Sequence, residues 1–160
     1  MQSIQNNNAA PVRLSEQQGV DCSDSYGNGG CNGGWMASYY RFSNDRGSMS
    51  NAEYPYTASD TACAQTETST IVARADYSRF VSLGRSPTVQ QMFDALQNGP
   101  LTIGLFVGDL WRDYAGGILS ANVETCDPLS LNHGVTLVGF KVGTTTTEEI
   151  EITTPDTYET

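Results

Sequence analysis

The sequence predicts an α+β fold, with helices early in the chain and strands late. Two observations carry this. Apolar residues at helical spacing follow Trp35, and continuous apolar runs with β-branched members follow Gly99 and His133. A hydrophobic fraction of 38% and 16 glycines in 160 residues add that the chain is rich in loops around a real core.

In order, Asn6 to Ala10 are small and polar and read as a surface loop after a helix end. Leu14 to Val20 reads as a short helical segment with Ser15 as its N-cap and Gln18 three residues on. From Ser23 to Gly34 the chain is turn-rich, because Gly27, Gly29, Gly30, Gly33 and Gly34 allow positive φ. Trp35 to Asp45 is predicted helical, with Met36, Tyr39, Tyr40 and Ser43 on one face and Gly47 as the stop. Ala75 to Ser82 alternates like a strand. Thr88 and Gln91 make a capping-box pattern ahead of a helix whose Val89, Met92, Phe93 and Leu96 share a face. Asn98-Gly99-Pro100 ends that helix. Leu101 to Val107 and Val135 to Val142 are predicted buried strands. Thr144 to Thr160, rich in Thr and Glu, is expected to be a disordered tail or an inserted loop, with Ile150-Glu151-Ile152 its sole strand-like part.

A net charge of −10 argues against nucleic-acid binding, which rests on basic patches. No apolar run approaches the ~18 residues of a membrane span, and the residues after Met1 do not read as a secretory leader. Four cysteines permit three pairings, and no Cys-x-x-Cys spacing suggests zinc. No metal or cofactor is implied. His133 is the only histidine, the default side chain for moving protons near neutrality, and it stands at the entry to an apolar run. A base on a rigid strand edge is well held for catalysis.

The upstream order of motifs gives this histidine a context. The chain carries Leu14-Ser15-Glu16-Gln17-Gln18, Val20-Asp21-Cys22, Cys31-Asn32-Gly33-Gly34-Trp35, Tyr54-Pro55-Tyr56 and Cys63. Gly99-Pro100-Leu101-Thr102-Ile103, Tyr114-Ala115-Gly116-Gly117-Ile118, Cys126 and Asn132-His133-Gly134 follow. This resembles the papain-like cysteine peptidases, the family of papain and the cathepsins, in motif order and approximate spacing over residues 1 to 140. The resemblance implies a two-lobe fold, helical on the left and β-barrel-like on the right. Residues 1–76 would be part of the left lobe, 77–143 part of the right lobe, and 144–160 the tail or insertion.

The same resemblance implies a catalytic role for His133 and a Cys22–Cys63 disulfide. It makes Gly33 and Gly34 a turn that pairs with an extended peptide substrate, where a Cβ would block the substrate backbone. Trp35 and Met36, with Gly104, Leu131 and Gly134 across the cleft, fall where the family shapes its specificity pocket. Asn132 matches a position where the family tolerates Asp or Asn and is counted with the substrate-binding residues, not as the orienting asparagine. The bland reading of Trp35 is core packing. The implied partner is a peptide or protein substrate, in a lysosome or vacuole or outside the cell.

The 160 residues hold no Gln-x-x-Cys-Gly-Ser-Cys-Trp segment, where the family carries its nucleophile and oxyanion glutamine. They also lack the Asn-Ser-Trp-Gly strand whose asparagine orients the histidine. Met1 to Gln5 resemble the far end of the nucleophile's helix. Cys31 lies in a Gly-rich turn and Cys22 ends an apolar-edged segment, neither a junction that activates a thiol. In the family, Cys31 and Cys126 pair with cysteines not present here. The expectation is therefore a partial cysteine endopeptidase domain, inactive alone, whose cysteine comes from an N-terminal segment or a second chain. The alternative is a non-catalytic papain-like module for binding peptides or for structure.

Overall fold

The structure, a computed structural model, describes residues 11–76, 80–81, 86–112, 114–119 and 130–140. The chain divides into two compact units, Met1–Arg79 and Phe80–Thr160, each described by itself below.

Among its described residues, the first unit is built on two helices. Helix α1 spans Glu16–Cys22, and the hydroxyl of Ser15 caps it by accepting from the Gln18 amide at 2.9 Å. Two 3₁₀ turns follow, Asp24–Tyr26 and Gly30–Asn32. Helix α2 spans Met36–Arg46. Gly47 ends it at φ +79, where a methyl would also overlap Ile71. The buried face of α2 differs from the expected one. Ser38, Phe42 and Ser43 are buried and Tyr39 packs beside them, while Tyr40 is only half-buried. Phe42 takes the buried position rather than Tyr40, because its ring has no hydroxyl that burial would have to satisfy. Phe42 makes an edge-on contact with Tyr26 at 5.6 Å between ring centres.

Among the described residues the apolar core is small: Cys22, Phe42, Met49 and Tyr54, flanked by Tyr26, Tyr39 and Ile71. Polar side chains complete it. Gln17 and Gln18 are 1% and 0% exposed, and each satisfies backbone of a distant segment. Gln18 accepts from the Met49 amide at 2.8 Å and donates to the Gly47 carbonyl at 3.1 Å. Gln17 accepts from the Thr57 amide and donates to the Ser59 carbonyl, at 2.9 and 2.7 Å. Two amide side chains thus replace strand pairing in fastening the loops to α1. Cys22 and Cys63 are joined by a disulfide, the pairing the family resemblance implies. Cys31 is a free, exposed thiol, and Cys126 lies outside the described residues.

Asp21 sits beside that bridge. Its carboxylate accepts from the Thr61 amide (2.9 Å), the Thr61 hydroxyl (2.6 Å), the Gln17 amide (2.9 Å) and the Tyr54 hydroxyl (3.0 Å). Desolvation pushes its pKa up, and the donors, Thr61 foremost, together outweigh it and hold the group below its ordinary value. A carboxylate depressed on folding contributes stability that is complete above its unfolded pKa of about 3.9 and is lost as pH falls through the folded value. Asp21→Ala leaves buried donors unpartnered and is expected to cost about 1–3 kcal/mol at pH 7. The difference between wild type and variant should shrink below about pH 4. Urea unfolding at pH 7 and at pH 3 checks this, and an unchanged difference at pH 3 contradicts it.

In the second unit, helix α3 spans Val89–Leu96 under a complete capping box between Thr88 and Gln91. Val89, Met92, Phe93 and Leu96 are all half-buried, the face the spacing predicts. Phe93 stacks on Phe140 with ring centres 3.9 Å apart. Strands β1 (Leu101–Leu105) and β2 (His133–Leu137) pair antiparallel, with Leu101 opposite Leu137 and Leu105 opposite His133. Helix α4 is the single turn Asp109–Arg112.

Both strands are shorter than expected, and neither is fully buried. Of the two, only Leu137 is buried, at 1%, and Val138 beyond it is 49% exposed. An antiparallel pair presents alternate side chains to opposite faces, so a continuous apolar run does not force burial of both. The strand expected over Ala75–Ser82 is not found at its described positions 75, 76, 80 and 81. The nearest pairing is an isolated bridge of Ala73 to Ser48. Tyr77–Arg79, Ser82 and Val142 lie outside the described residues, as do the expected loop at Asn6–Ala10 and the tail from Thr144 with Ile150–Ile152. No helix among the described residues is long and apolar enough to cross a membrane.

Candidate active site

The two sets of predicted site residues lie in different units. Gly33, Gly34, Trp35 and Met36 belong to the first, and Gly104, Leu131, Asn132, His133 and Gly134 to the second.

In the first unit, the loop entering α2 is held at both ends by side chains. The Asp60 carboxylate accepts from the Cys31 amide at 2.6 Å, and the Asn28 carbonyl oxygen accepts from the Trp35 amide at 2.8 Å. Across the middle, the Gly29 amide donates to the Gly33 carbonyl at 2.8 Å. Gly33 takes φ +99, which only glycine adopts freely, and the space where its Cβ would stand is open. The main-chain N–H and C=O of Gly34 have no partner among the described residues. An exposed, unpaired peptide donor and acceptor of this kind can take an extended peptide as an added strand. Trp35 is 60% exposed and serves as the N-cap residue of α2, so it is not a core residue as the bland reading supposed. Met36 is half-buried.

Cys31 is not an activated thiol. Desolvation, then the hydrogen bond and charge of Asp60, then the charge of Asp21 push its pKa up from the ordinary value. A thiol beside carboxylates stays protonated, which is the opposite of what a nucleophile requires.

In the second unit, β2 begins at His133, whose side chain is exposed. Asn132 fixes the approach to it. Its amide side chain accepts from the Val107 N–H at 2.7 Å and donates to the Val107 carbonyl at 3.1 Å. Its own N–H donates to the Leu105 carbonyl at 3.1 Å. Asn132 therefore extends the ladder by one side-chain rung beyond the His133–Leu105 pair. Gly104 faces Gly134 across the pair, and a methyl on Gly104 would meet the Leu131 side chain at 3.3 Å. So Gly104, Leu131, Asn132, His133 and Gly134 are brought together, around an exposed imidazole on a fixed backbone.

Sequence reasoning missed Asn28, Asp60 and Val107. Gly27-Asn28-Gly29 is a turn signal, and it marks Asn28 by its side chain's habit of bonding nearby backbone. Asp60 and Val107 meet their partners across 29 and 25 residues, and no local pattern signals them.

The chain matches the papain family cysteine protease profile over residues 1–151. It is 36% identical over 128 residues to a cathepsin L 2 of Paramecium tetraurelia, covering 80% of this chain and 37% of that one. It is 36% identical over 145 residues to a digestive cysteine proteinase 3 of Homarus americanus, covering 86% and 41%. Among solved structures it is similar to a digestive procathepsin L 3 from the larval midgut of Tenebrio molitor, at TM-score 0.73 and 33% identity. That match covers 89% of this chain and 44% of the other. It is also similar to bromelain from Ananas comosus in complex with the E64 inhibitor, at TM-score 0.70 and 29% identity, covering 89% and 60%. The chain belongs to the papain family of cysteine proteases, and its fold is papain-like. It spans about two fifths of the length of the curated relatives it matches.

Proposed function

We propose that this chain is the histidine-bearing and peptide-holding part of a papain-type cysteine endopeptidase that hydrolyses peptide bonds through an acyl-enzyme. The observation that carries the reading is the exposed His133 at the first residue of β2, in a chain of this family. In the proposed reaction, His133 takes the proton of a cysteine thiol supplied by a Gln-x-x-Cys-Gly-Ser-Cys-Trp segment outside these 160 residues. The thiolate attacks the scissile carbonyl, and the imidazolium then protonates the leaving amine. Water hydrolyses the acyl-enzyme with His133 again as base.

Substrate binding rests on Gly34, whose free main-chain pair suits an extended peptide, with Gly33 leaving room beside it. In the first unit Trp35 and Met36, and in the second Gly104, Leu131, Asn132 and Gly134, would contact the substrate. Asn132 would act there through its backbone, since its amide is spent on Val107. Residues 1–76 and 77–143 would be parts of the left and right lobes. The Cys22–Cys63 bridge supports passage through an oxidising compartment, in keeping with a lysosome, a vacuole or the outside of the cell as the destination.

The 160-residue chain alone is expected to have no peptidase activity, because the family's nucleophile segment is not in its sequence and Cys31, the free thiol among the described residues, is not activated. A fluorogenic aromatic dipeptide substrate should be turned over at the buffer rate. Turnover above buffer, blocked by a thiol-directed epoxide and lost in Cys31→Ala, contradicts this. A non-catalytic peptide-binding module is the second reading, since the unpaired Gly34 main chain would serve it as well as it serves a peptidase. It predicts peptide binding that never becomes hydrolysis when the missing segments are supplied.

A further inference from the structure

We infer that Asn28 is a positioning residue for peptide binding: it aims the main chain of Gly34 at the substrate and is itself the reason position 34 is glycine. The inference rests on the reading of Gly34 as a peptide-holding residue.

Asn28 is the middle of a relay that starts on rigid structure. The Ser23 hydroxyl donates to the Gly19 carbonyl of α1 at 2.5 Å, and Ser23 is 0% exposed. The Asn28 side-chain NH₂ donates to the same hydroxyl at 2.9 Å. The Asn28 carbonyl oxygen then accepts from the Trp35 amide at 2.8 Å. The peptide group joining Gly34 to Trp35 is therefore oriented by α1 through two side chains, so the Gly34 carbonyl that belongs to it has a fixed direction.

The close approach has a second consequence. A methyl built on Gly34 overlaps the Asn28 amide, with Oδ1, Cγ and Cβ all within contact range. Gly34 is not among the glycines with positive φ, so its backbone sets no such demand for glycine. At Gly33 the case is reversed, with φ +99 and nothing near the missing Cβ. Of the two adjacent glycines, one is demanded by its backbone angle and the other by Asn28. A loop pinned in this way binds an extended peptide without first losing conformational freedom.

The test uses the full 160-residue chain, labelled for amide NMR and titrated with an N-blocked dipeptide amide carrying an aromatic residue. The Gly34 and Trp35 amides of the wild type should shift with peptide. Asn28→Ala should weaken that binding at least tenfold while the Gln18 and Met49 amides stay in place. Asn28→Asp, which keeps the acceptor for the Trp35 amide, should bind within about threefold of wild type, since most of the positioning contact survives. Equal affinity of wild type and Asn28→Ala overturns the positioning role. No shift at Gly34 in the wild type overturns the peptide-holding reading and the positioning role with it.

A cycle without peptide separates the two. Gly34→Ala should lower the urea midpoint in the Asn28 background, and at least half of that loss should vanish in the Asn28→Ala background. Equal losses in both backgrounds overturn the claim that Asn28 makes position 34 glycine, whatever the peptide does.

Discussion

His133→Ala is expected to lower kcat/KM on the order of 10⁴-fold or more in a peptidase assembled from this chain, a segment carrying Gln-x-x-Cys-Gly-Ser-Cys-Trp, and an Asn-Ser-Trp-Gly strand. The groups of a nucleophile–base pair act as a unit, so losing the base forfeits most of what the pair contributes. The fold should survive. His133 is exposed, and its backbone is held by pairing with Leu105 and by the Asn132–Val107 rung, none of which uses the imidazole. With His133 present, the supplied cysteine should form a thiolate–imidazolium pair and titrate well below the ~8.5 of a free thiol. The check is the pH dependence of thiol alkylation in the assembled protein and in its His133→Ala variant. If both titrate alike near the free-thiol value, His133 is structural.

The second large effect is on stability. Replacing both Cys22 and Cys63 by Ser opens a loop of sequence separation 41. The chain-entropy treatment puts the loss at about 4 kcal/mol. In a core this small and this polar, that is a large share of the 5–15 kcal/mol typical of a folded domain. The effect should reach the candidate site. The segment tied down by the bridge carries Thr57, Ser59, Asp60 and Thr61, which answer Gln17, Cys31 and Asp21. Loosening it should free the Cys31 amide and speed its hydrogen exchange along with the loss of stability. Urea unfolding and amide exchange of the double variant check both. A stability loss under about 1 kcal/mol would contradict the account.

The sequence made the helix ends legible because their signals are local. Ser15 before α1, Gly47 after α2, and Thr88 with Gln91 at α3 each act within four residues of where they stand. The α3 face was legible because four apolar side chains repeat at helical spacing with nothing competing. The α2 face was misread because Tyr40 and Phe42 compete, and only packing against Tyr26 chooses between them. Strand lengths and burial were misread because an apolar run does not say what covers it. Leu137 is covered and Val138 is not.

The site divides in the same way. Family resemblance pointed to His133 and to Gly33 and Gly34, whose motifs are contiguous in sequence. Asn28 and Asp60 hold those motifs through side-chain bonds to backbone 7 and 29 residues away, and Val107 offers its backbone to the Asn132 side chain 25 residues on. Gln17 and Gln18 read as polar helix residues, and their burial follows from bonds spanning 29 to 42 residues.

The most direct measurement is the mass of the adduct formed when a thiol-directed peptidyl epoxide reacts with the assembled protein. One inhibitor should attach per molecule, on the cysteine of the supplied segment, and excess peptide substrate or His133→Ala should suppress it. Attachment to Cys31, or labelling that neither peptide nor His133→Ala alters, would contradict the assignment of this chain as the histidine-bearing and peptide-holding part of a cysteine peptidase.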